Sequence, residues 1–214
     1  MQNRINPFGN IIETPHRGAW TGNRGVIHND KKQIIRAFKS KAWITCALEF
    51  KGMKRVVMSP NRWTELFFLD EATAFAAGHR PCAYCRRTDF NQFKALWLKA
   101  NRELFELADE KMTTIDAVLQ EERLKKNGAK KVHSAPLLSL PDGVIFCFKN
   151  DETKPYLIYK NHLFEWHESG YLSSMRMLEI DNEVSVLTPL SIVNVFKQNY
   201  VPQVDKSASS LLLK

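Results

Sequence analysis

Cys82 and Cys85 are separated by two residues, and they are the pair of side chains in this sequence best suited to chemistry. Zn²⁺ prefers four sulfur or nitrogen ligands in a tetrahedron, and a Cys-x-x-Cys turn presents two thiolates to one metal ion. Three arginines flank the pair, and their positive charge favours the thiolate form: Arg80, Arg86 and Arg87. The spacing therefore indicates a metal site first and a redox-active dithiol second.

A four-ligand site needs residues from elsewhere in the chain, because the sequence has no second Cys-x-x-Cys pair. The two remaining cysteines are Cys46 and Cys147, and a free cysteine is most often a small buried hydrophobic side chain. That interpretation is stronger for Cys147, which alternates with two phenylalanines in a predicted strand. Histidine is the other available kind of ligand, and His28 and His79 lie in the same part of the chain. Residue types alone leave this choice open.

Positive charge is concentrated in one segment of the chain. Residues 17–62 contain eleven basic and two acidic side chains, a net +9 in a protein whose total is +8. Such a basic lobe is expected of a protein that binds a polyanion, and a solubilising surface is the equally weighted alternative. Including the arginines beside the cysteine pair, we predict these nucleic-acid contacts: Arg17, Arg24, Lys31, Lys32, Arg36, Lys39, Lys41, Arg80, Arg86 and Arg87.

Composition limits the class of protein. The chain has 214 residues, of which 44% are hydrophobic and 25% charged, and this balance excludes a wholly disordered chain. No run of about 18 apolar residues occurs, so we expect no membrane partner. The N-terminus lacks the apolar core of a secretory signal, which predicts a cytoplasmic protein with reduced thiols. No glycine-rich phosphate loop indicates a nucleotide cofactor.

The N-terminal elements predicted from the sequence place the cysteines. Residues 1–24 are rich in Asn, Gly and Pro and predict an irregular entry segment. A hairpin formed by residues 42–50 and 54–59 carries Cys46. Asp70 is the expected N-cap of a short helix, and the loop that follows it holds the cysteine pair. Two longer helices come next.

The C-terminal elements differ in type. Strands are predicted between residues 144 and 187, with a hairpin turn at Lys160-Asn161. A terminal helix follows over residues 189–200, and the Ser-rich end is expected to fray. The order of strands, helices, strands and helix predicts an α+β fold of small antiparallel sheets, with the zinc-binding unit packed on helices. We expect a basic region over 1–130 and a β-rich part over 131–214, or one continuous domain.

One run carries a resemblance to a known family. The sequence LFFLDEATAFAAGHRPCAYC, from Leu66 to Cys85, is similar to the second half of the metal-binding, methyl-phosphotriester domain of the Ada DNA-repair proteins. The resemblance covers about residues 46–87, roughly a fifth of the chain. It implies that Cys82 and Cys85 are zinc ligands and that an upstream strand cysteine, here Cys46, completes the site. It also implies DNA as partner and a role in repair.

The run departs from that family in its upstream half. Ada-type domains supply two cysteines in the pattern C-x-x-x-C, whereas this sequence has Cys46 and then Phe50. The whole chain also resembles an uncharacterised bacterial protein family sharing N-R-G-x-x-H, which here contains Arg24 and His28. We therefore predict His28 as the fourth metal ligand, in preference to His79 and Cys147.

The sequence is consistent with three functional hypotheses. The first is a zinc-binding protein that binds nucleic acid, DNA being favoured, with a mainly structural metal and a possible catalytic role for Cys46, His28 or Arg24. The second is a nuclease or hydrolase acting on nucleic acid through Arg24, His28, Glu49 or His133. The third and weakest is a thiol redox protein using the Cys82–Cys85 pair, because the pair does not open a βαβ unit.

Overall fold

The computed structural model describes residues 1–52, 56–177 and 182–213. Within these ranges the protein is α+β, with two six-stranded sheets and five α helices, which confirms the predicted class. None of the helices in these ranges is both long and apolar enough to cross a membrane. The α helices are α1 (Glu71–Ala76), α2 (Arg87–Asn101), α3 (Met112–Arg123), α4 (Leu190–Lys197) and α5 (Lys206–Leu211).

The first sheet has the strand order β2-β1-β5-β3-β4-β6. Its strands are β1 (Gln2–Ile5), β2 (Ile11–Glu13), β3 (Trp20–Asn23), β4 (Ile44–Cys46), β5 (Leu66–Phe68) and β6 (Arg80–Pro81). The sheet is mixed, because β1 pairs with β5 and β4 with β6 in parallel, where antiparallel sheets were predicted. The prediction of an irregular segment over 1–24 is also wrong, because three strands form there.

The predicted hairpin around Cys46 is not the pairing that forms. β4 lies between β3 and β6, and residues 56–59 are not a strand. Residues 53–55, which the predicted hairpin includes, lie outside the described ranges. Cys46 therefore owes its position to pairing with β6, the short strand that leads directly into the cysteine pair.

The second sheet is antiparallel throughout, with the order β11-β10-β9-β8-β12-β7. The predicted hairpin turn is confirmed: Lys160 and Asn161 both have positive φ, and Tyr159 pairs with His162. The strands are β7 (His133–Pro136), β8 (Ile145–Phe148), β9 (Asp151–Tyr159), β10 (His162–His167), β11 (Gly170–Arg176) and β12 (Glu183–Val186), and a 3₁₀ turn (Leu137–Ser139) follows β7.

One hydrophobic core joins the helices to the second sheet. Phe75 of α1, Phe93 and Trp97 of α2, and Leu119 of α3 belong to the same buried cluster as Val184 of β12. Apolar contacts therefore cross the predicted boundary at residue 130. The C-terminal segment is ordered as well: Asp205 accepts a hydrogen bond from the Ser207 amide and caps α5, so the prediction of a frayed end is wrong.

Candidate metal centre

Three cysteines meet where β4 and β6 end. Thr45 pairs with Pro81, and the Cys82 amide donates to the Thr45 carbonyl at 2.9 Å, so Cys46 and Cys82 leave adjacent strands side by side. The following turn closes with the Arg86 amide donating to the Cys82 carbonyl at 3.1 Å. It returns Cys85 to the pair, and the three Sγ atoms lie within 4.8 Å of one another.

The protonation of the cluster suits a metal. Hydrogen bonds from the Cys46 thiol are the main cause that lowers the pKa of Cys82 to about 5, and the same thiol lowers the pKa of Cys85. The Tyr84 amide also donates to the Cys82 Sγ at 3.4 Å. The pKa of Cys46 is raised, because its thiol donates to Cys82 and Cys85 and because it is buried. Hydrogen bonding within the cluster therefore favours the thiolate form of Cys82 and Cys85, which is the form of cysteine that binds a metal ion.

The donor set fits a soft or borderline metal ion. Three thiolates are ligands that Zn²⁺ and similar ions prefer over the hard cations Ca²⁺ and Mg²⁺, which take oxygen. Within the described ranges, the group of potential metal ligands whose ligand atoms lie within 4.8 Å of one another is Cys46, Cys82 and Cys85. This arrangement supplies three of the four positions of a tetrahedral site.

The structure does not bring the predicted fourth ligand to this group. The His28 ring contacts the Thr64 hydroxyl through Nδ1 at 2.7 Å and the Ser59 carbonyl through Nε2 at 3.3 Å. His79 packs against the rings of Trp43 and Phe68, and its Nε2 accepts a hydrogen bond from Arg24. Both nitrogens of His28 are thus committed to the loop between β4 and β5, and within residues 1–52, 56–177 and 182–213 the candidate metal-binding group consists of the three cysteines.

Cys147 lies in a different part of the molecule. It is on β8 in the second sheet, within a buried cluster that includes Ile145 and Leu157. Burial is the main cause that raises the pKa of its thiol to about 12. This placement agrees with its interpretation as a small core side chain.

A buried ion pair connects the cysteine turn to α1. Arg86, which follows Cys85, bonds the Glu71 carboxylate, and its Nε donates to the Asp89 Oδ2 at 2.8 Å. The Tyr200 hydroxyl and the Gln203 amide also donate to Glu71, each at 3.0 Å. Glu71 thus joins the cysteine turn, α1 and the C-terminal segment.

Sequence reasoning missed the buried contacts of Glu71, and it identified its neighbour Asp70 only as an N-cap. Asp70 caps α1 as predicted, but it is fully buried and also accepts from the Tyr171 hydroxyl at 2.8 Å and the Asp205 amide at 3.0 Å. The available signal is the pair of acids inside the otherwise apolar run of residues 66–77, since an unpaired carboxylate there would be costly.

The cleft next to the cysteines is small and is lined by both charged and apolar side chains. It has a volume of about 270 Å³ and runs past Cys85, the partly exposed thiol of the three. Trp20, Arg86 and Asp89 line both this cleft and a neighbouring one of about 420 Å³. The Arg86 guanidinium stacks on the Trp20 ring, with Cζ 4.0 Å from the ring centroid. Cys46 and Cys82 are buried behind this surface.

The predicted nucleic-acid contacts divide by burial. Three of them are buried, each with at most 6% of its surface exposed: Arg24, Arg80 and Arg86. The prediction that these three contact nucleic acid at the surface is therefore wrong. Arg80 forms a two-point ion pair with Asp116, at 2.8 and 2.7 Å. The remaining predicted contacts are exposed: Arg17, Lys31, Lys32, Arg36, Lys39, Lys41 and Arg87.

The candidates for a hydrolytic site have separate neighbours. Arg24 contacts His79 and Trp43, whereas His28 contacts Thr64 and Ser59. Glu49 is exposed, and His133 is on β7 of the second sheet. Among the described residues, these contacts do not join the four candidates to one another. Comparison of the chain with protein families, with curated proteins and with solved structures found no match, so the resemblance to the Ada domain remains a prediction.

Proposed function

We propose that this protein binds Zn²⁺ through Cys46, Cys82 and Cys85 and binds nucleic acid on the basic surface of its N-terminal part. The observation that carries the proposal is the meeting of three cysteine Sγ atoms within 4.8 Å of one another. Zn²⁺ accepts such sulfur-rich tetrahedral sites and needs no redox change. The metal would tie β4, β6 and the start of α2 together, which is a structural role.

Exposed cations support the nucleic-acid part of the proposal. Lys31, Lys32, Arg36, Lys39 and Lys41 are all exposed within eleven residues between β3 and β4. Two large apolar side chains, Ile35 and Phe38, are partly exposed among them, at 52% and 36%. This combination suits a phosphate backbone with apolar contact beside it. DNA is the favoured partner and repair the favoured process, following the Ada resemblance.

Replacing Lys31, Lys32, Lys39 and Lys41 by Ala should weaken binding to duplex and single-stranded oligonucleotides of any sequence. Each phosphate contact releases counterions when it forms. A variant that has lost contacts therefore releases fewer counterions on binding, and the steepness of log affinity against log salt should decrease by about 0.9 per lost contact on duplex DNA. A fluorescence-anisotropy titration from low to physiological salt measures both quantities.

The matched control replaces four lysines outside this segment, Lys99, Lys125, Lys126 and Lys206, all of them exposed. It removes the same charge and should leave most of the affinity and slope unchanged. Equal effects of the two quadruple variants would reduce the binding to non-specific attraction by net charge. Binding too weak to detect at low salt would reject the nucleic-acid proposal and leave the metal proposal intact.

A hydrolase is the second candidate, and the group of three cysteine ligands found among the described residues favours it. Zn²⁺ with three protein ligands is the arrangement of catalytic sites, where the ion acts as a Lewis acid. Asp89 lines the cleft at Cys85 and is about two-fifths exposed, so it can accept a proton from an attacking water.

Under the hydrolase hypothesis, the Asp89→Asn variant should cleave a phosphodiester substrate roughly 10²–10⁴ times more slowly. A carboxylate elsewhere whose side chain is 36% exposed, changed in Asp109→Asn, is the control and should keep full activity. Turnover is measured with a chromogenic phosphodiester, before and after zinc is removed by a chelator. Absence of zinc-dependent turnover in the wild-type protein would eliminate this candidate.

A further inference from the structure

A second group of reactive side chains is buried away from the cysteines, around Trp43. The Arg24 Cζ lies 3.8 Å and the Arg123 Cζ 4.8 Å from the Trp43 ring centroid, and the His79 ring centroid is 5.2 Å away. None of these four side chains is more than 2% exposed. We call Arg24, Trp43, His79 and Arg123 the Trp43 cluster.

Among the residues that the structure describes, no carboxylate is a hydrogen-bond partner of the cations in this cluster. Arg24 Nε donates to His79 Nε2 at 3.2 Å, and Arg123 donates to the carbonyls of Gly78 and Lys41, each at 2.7 Å. A third cation, the Lys130 ammonium, donates to a carbonyl at the end of α1. The nearby acids are engaged elsewhere, Asp116 with Arg80 and Glu122 with Ser191.

This arrangement is electrostatically unfavourable, and it lowers the pKa values of the cations Arg24 and Lys130. Burial, and after it the charge of Arg123, lowers the pKa of Arg24 to about 9. Burial, with Arg24 and Arg123 next, lowers the pKa of Lys130 to about 7. Buried charges are normally paired, because removing an isolated charge from water is expensive. An excess of positive charge, which Asp116 and Glu122 offset only in part, is therefore the distinctive feature of this region.

Within the described part of the chain, four buried nitrogens of the cluster also lack a hydrogen-bond partner: Arg24 Nη2, Arg123 Nη2, Trp43 Nε1 and His79 Nδ1. Since His79 Nε2 accepts from Arg24, and burial keeps the ring neutral by lowering its pKa, Nδ1 carries the ring proton. All four atoms are thus donors without an acceptor. Each unsatisfied buried donor is costly, and four around one ring indicate that an acceptor belongs there.

We propose that the Trp43 cluster binds one small inorganic oxyanion, phosphate or sulfate, between Arg24 and Arg123. A tetrahedral oxyanion offers several acceptor oxygens and the negative charge that the two guanidinium groups lack. Because the cluster is buried, its ligand is a small ion and not a nucleic-acid backbone. The backbone of Gly9 is close to Arg24 Nη2, since a Cβ at that position would be 3.6 Å from it. The site is independent of the cysteine cluster and of the proposed function.

The first test uses the wild-type protein alone. Protein purified in phosphate and sulfate buffers, desalted and denatured, should release about one oxyanion per chain on ion chromatography. Isothermal titration of protein prepared in chloride should show saturable binding of sodium phosphate or sodium sulfate, and the two titrations decide which ion is preferred. Absence of both retained ion and saturable uptake would overturn the proposal.

The second test locates the site with Arg24→Gln, controlled by Arg36→Gln at an exposed arginine. Loss of a charged hydrogen bond should weaken oxyanion binding roughly 10- to 100-fold in Arg24→Gln. The control should bind as the wild type does. Melting temperatures at matched ionic strength in phosphate and chloride give the same comparison. If Arg24→Gln retains wild-type affinity, the ion binds elsewhere and the assignment is wrong. If Arg24→Gln does not fold, the wild-type ion content and titration still decide whether an oxyanion is bound.

Discussion

The Cys82→Ser, Cys85→Ser double variant is expected to lose zinc and a large part of its stability. Wild-type protein should contain about one zinc per chain, held by three thiolates that two parallel strands and one turn bring together. Zinc binding of this kind contributes about 10–16 kcal/mol in small zinc-binding peptides, and that free energy is also folding free energy. Losing even a fraction of it should lower the free energy of unfolding by at least about 3 kcal/mol. Metal analysis and urea unfolding measure the two effects.

Cys147→Ser is the matched control, because Cys147 is 1% exposed but belongs to the second sheet. It should lose some packing energy and keep its zinc. Full zinc content in the double variant would refute the metal site. A metal-free wild-type protein that forms a Cys82–Cys85 disulfide on mild oxidation would favour the redox alternative.

Local features were predictable from the sequence because neighbouring residues determine them. Asp70 caps α1 through the Thr73 amide, three residues away, and the hairpin turn at Lys160-Asn161 depends on two adjacent residues with positive φ. The Cys-x-x-Cys turn is local in the same way. These features need little information about the rest of the fold.

Pairing between distant segments was not predictable. Strand β4 finds its partner β6 more than thirty residues along the chain, and the sequence between them suggested a hairpin in place of that pairing. The third cysteine ligand was available only through a resemblance for the same reason. His28 was predicted to approach the metal because of a shared motif, but its ring bonds Thr64 and Ser59. The residues of that motif do not specify which other segment of the chain packs against His28.

Burial of individual arginines was also beyond the sequence. Arg24, Arg80 and Arg86 occur among exposed basic residues and look like them in a charge count. The structure separates them because each has a specific partner: an aromatic ring for Arg24, and a carboxylate for Arg80 and Arg86. Those partners come from residues that are distant in sequence or part of an apolar run.

Glu71→Gln is the single substitution that we expect to be most damaging outside the cysteines. The Glu71 and Arg86 side chains are 5% and 4% exposed, so removing the negative charge leaves a buried guanidinium with Asp89 as its remaining partner. Breaking a buried pair in this way costs about 3–5 kcal/mol. The amide can still accept from Tyr200 or Gln203, and Asp89 is partly exposed, which places the expected loss near the lower end of that range.

Glu110→Gln is the control for this prediction, because its partner Arg102 is at 2.6 Å but both side chains are more than half exposed. Exposed pairs of this kind are worth about 0–1 kcal/mol, so the control should unfold almost as the wild type does. Since Arg86 directly follows Cys85, Glu71→Gln should also weaken zinc retention against a chelator, whereas Glu110→Gln should not. Equal stability and equal zinc retention in the two variants would show that Glu71 does not hold the cysteine turn against α1. A loss of stability with unchanged zinc retention would confine Glu71 to packing of the C-terminal segment, through Tyr200 and Gln203.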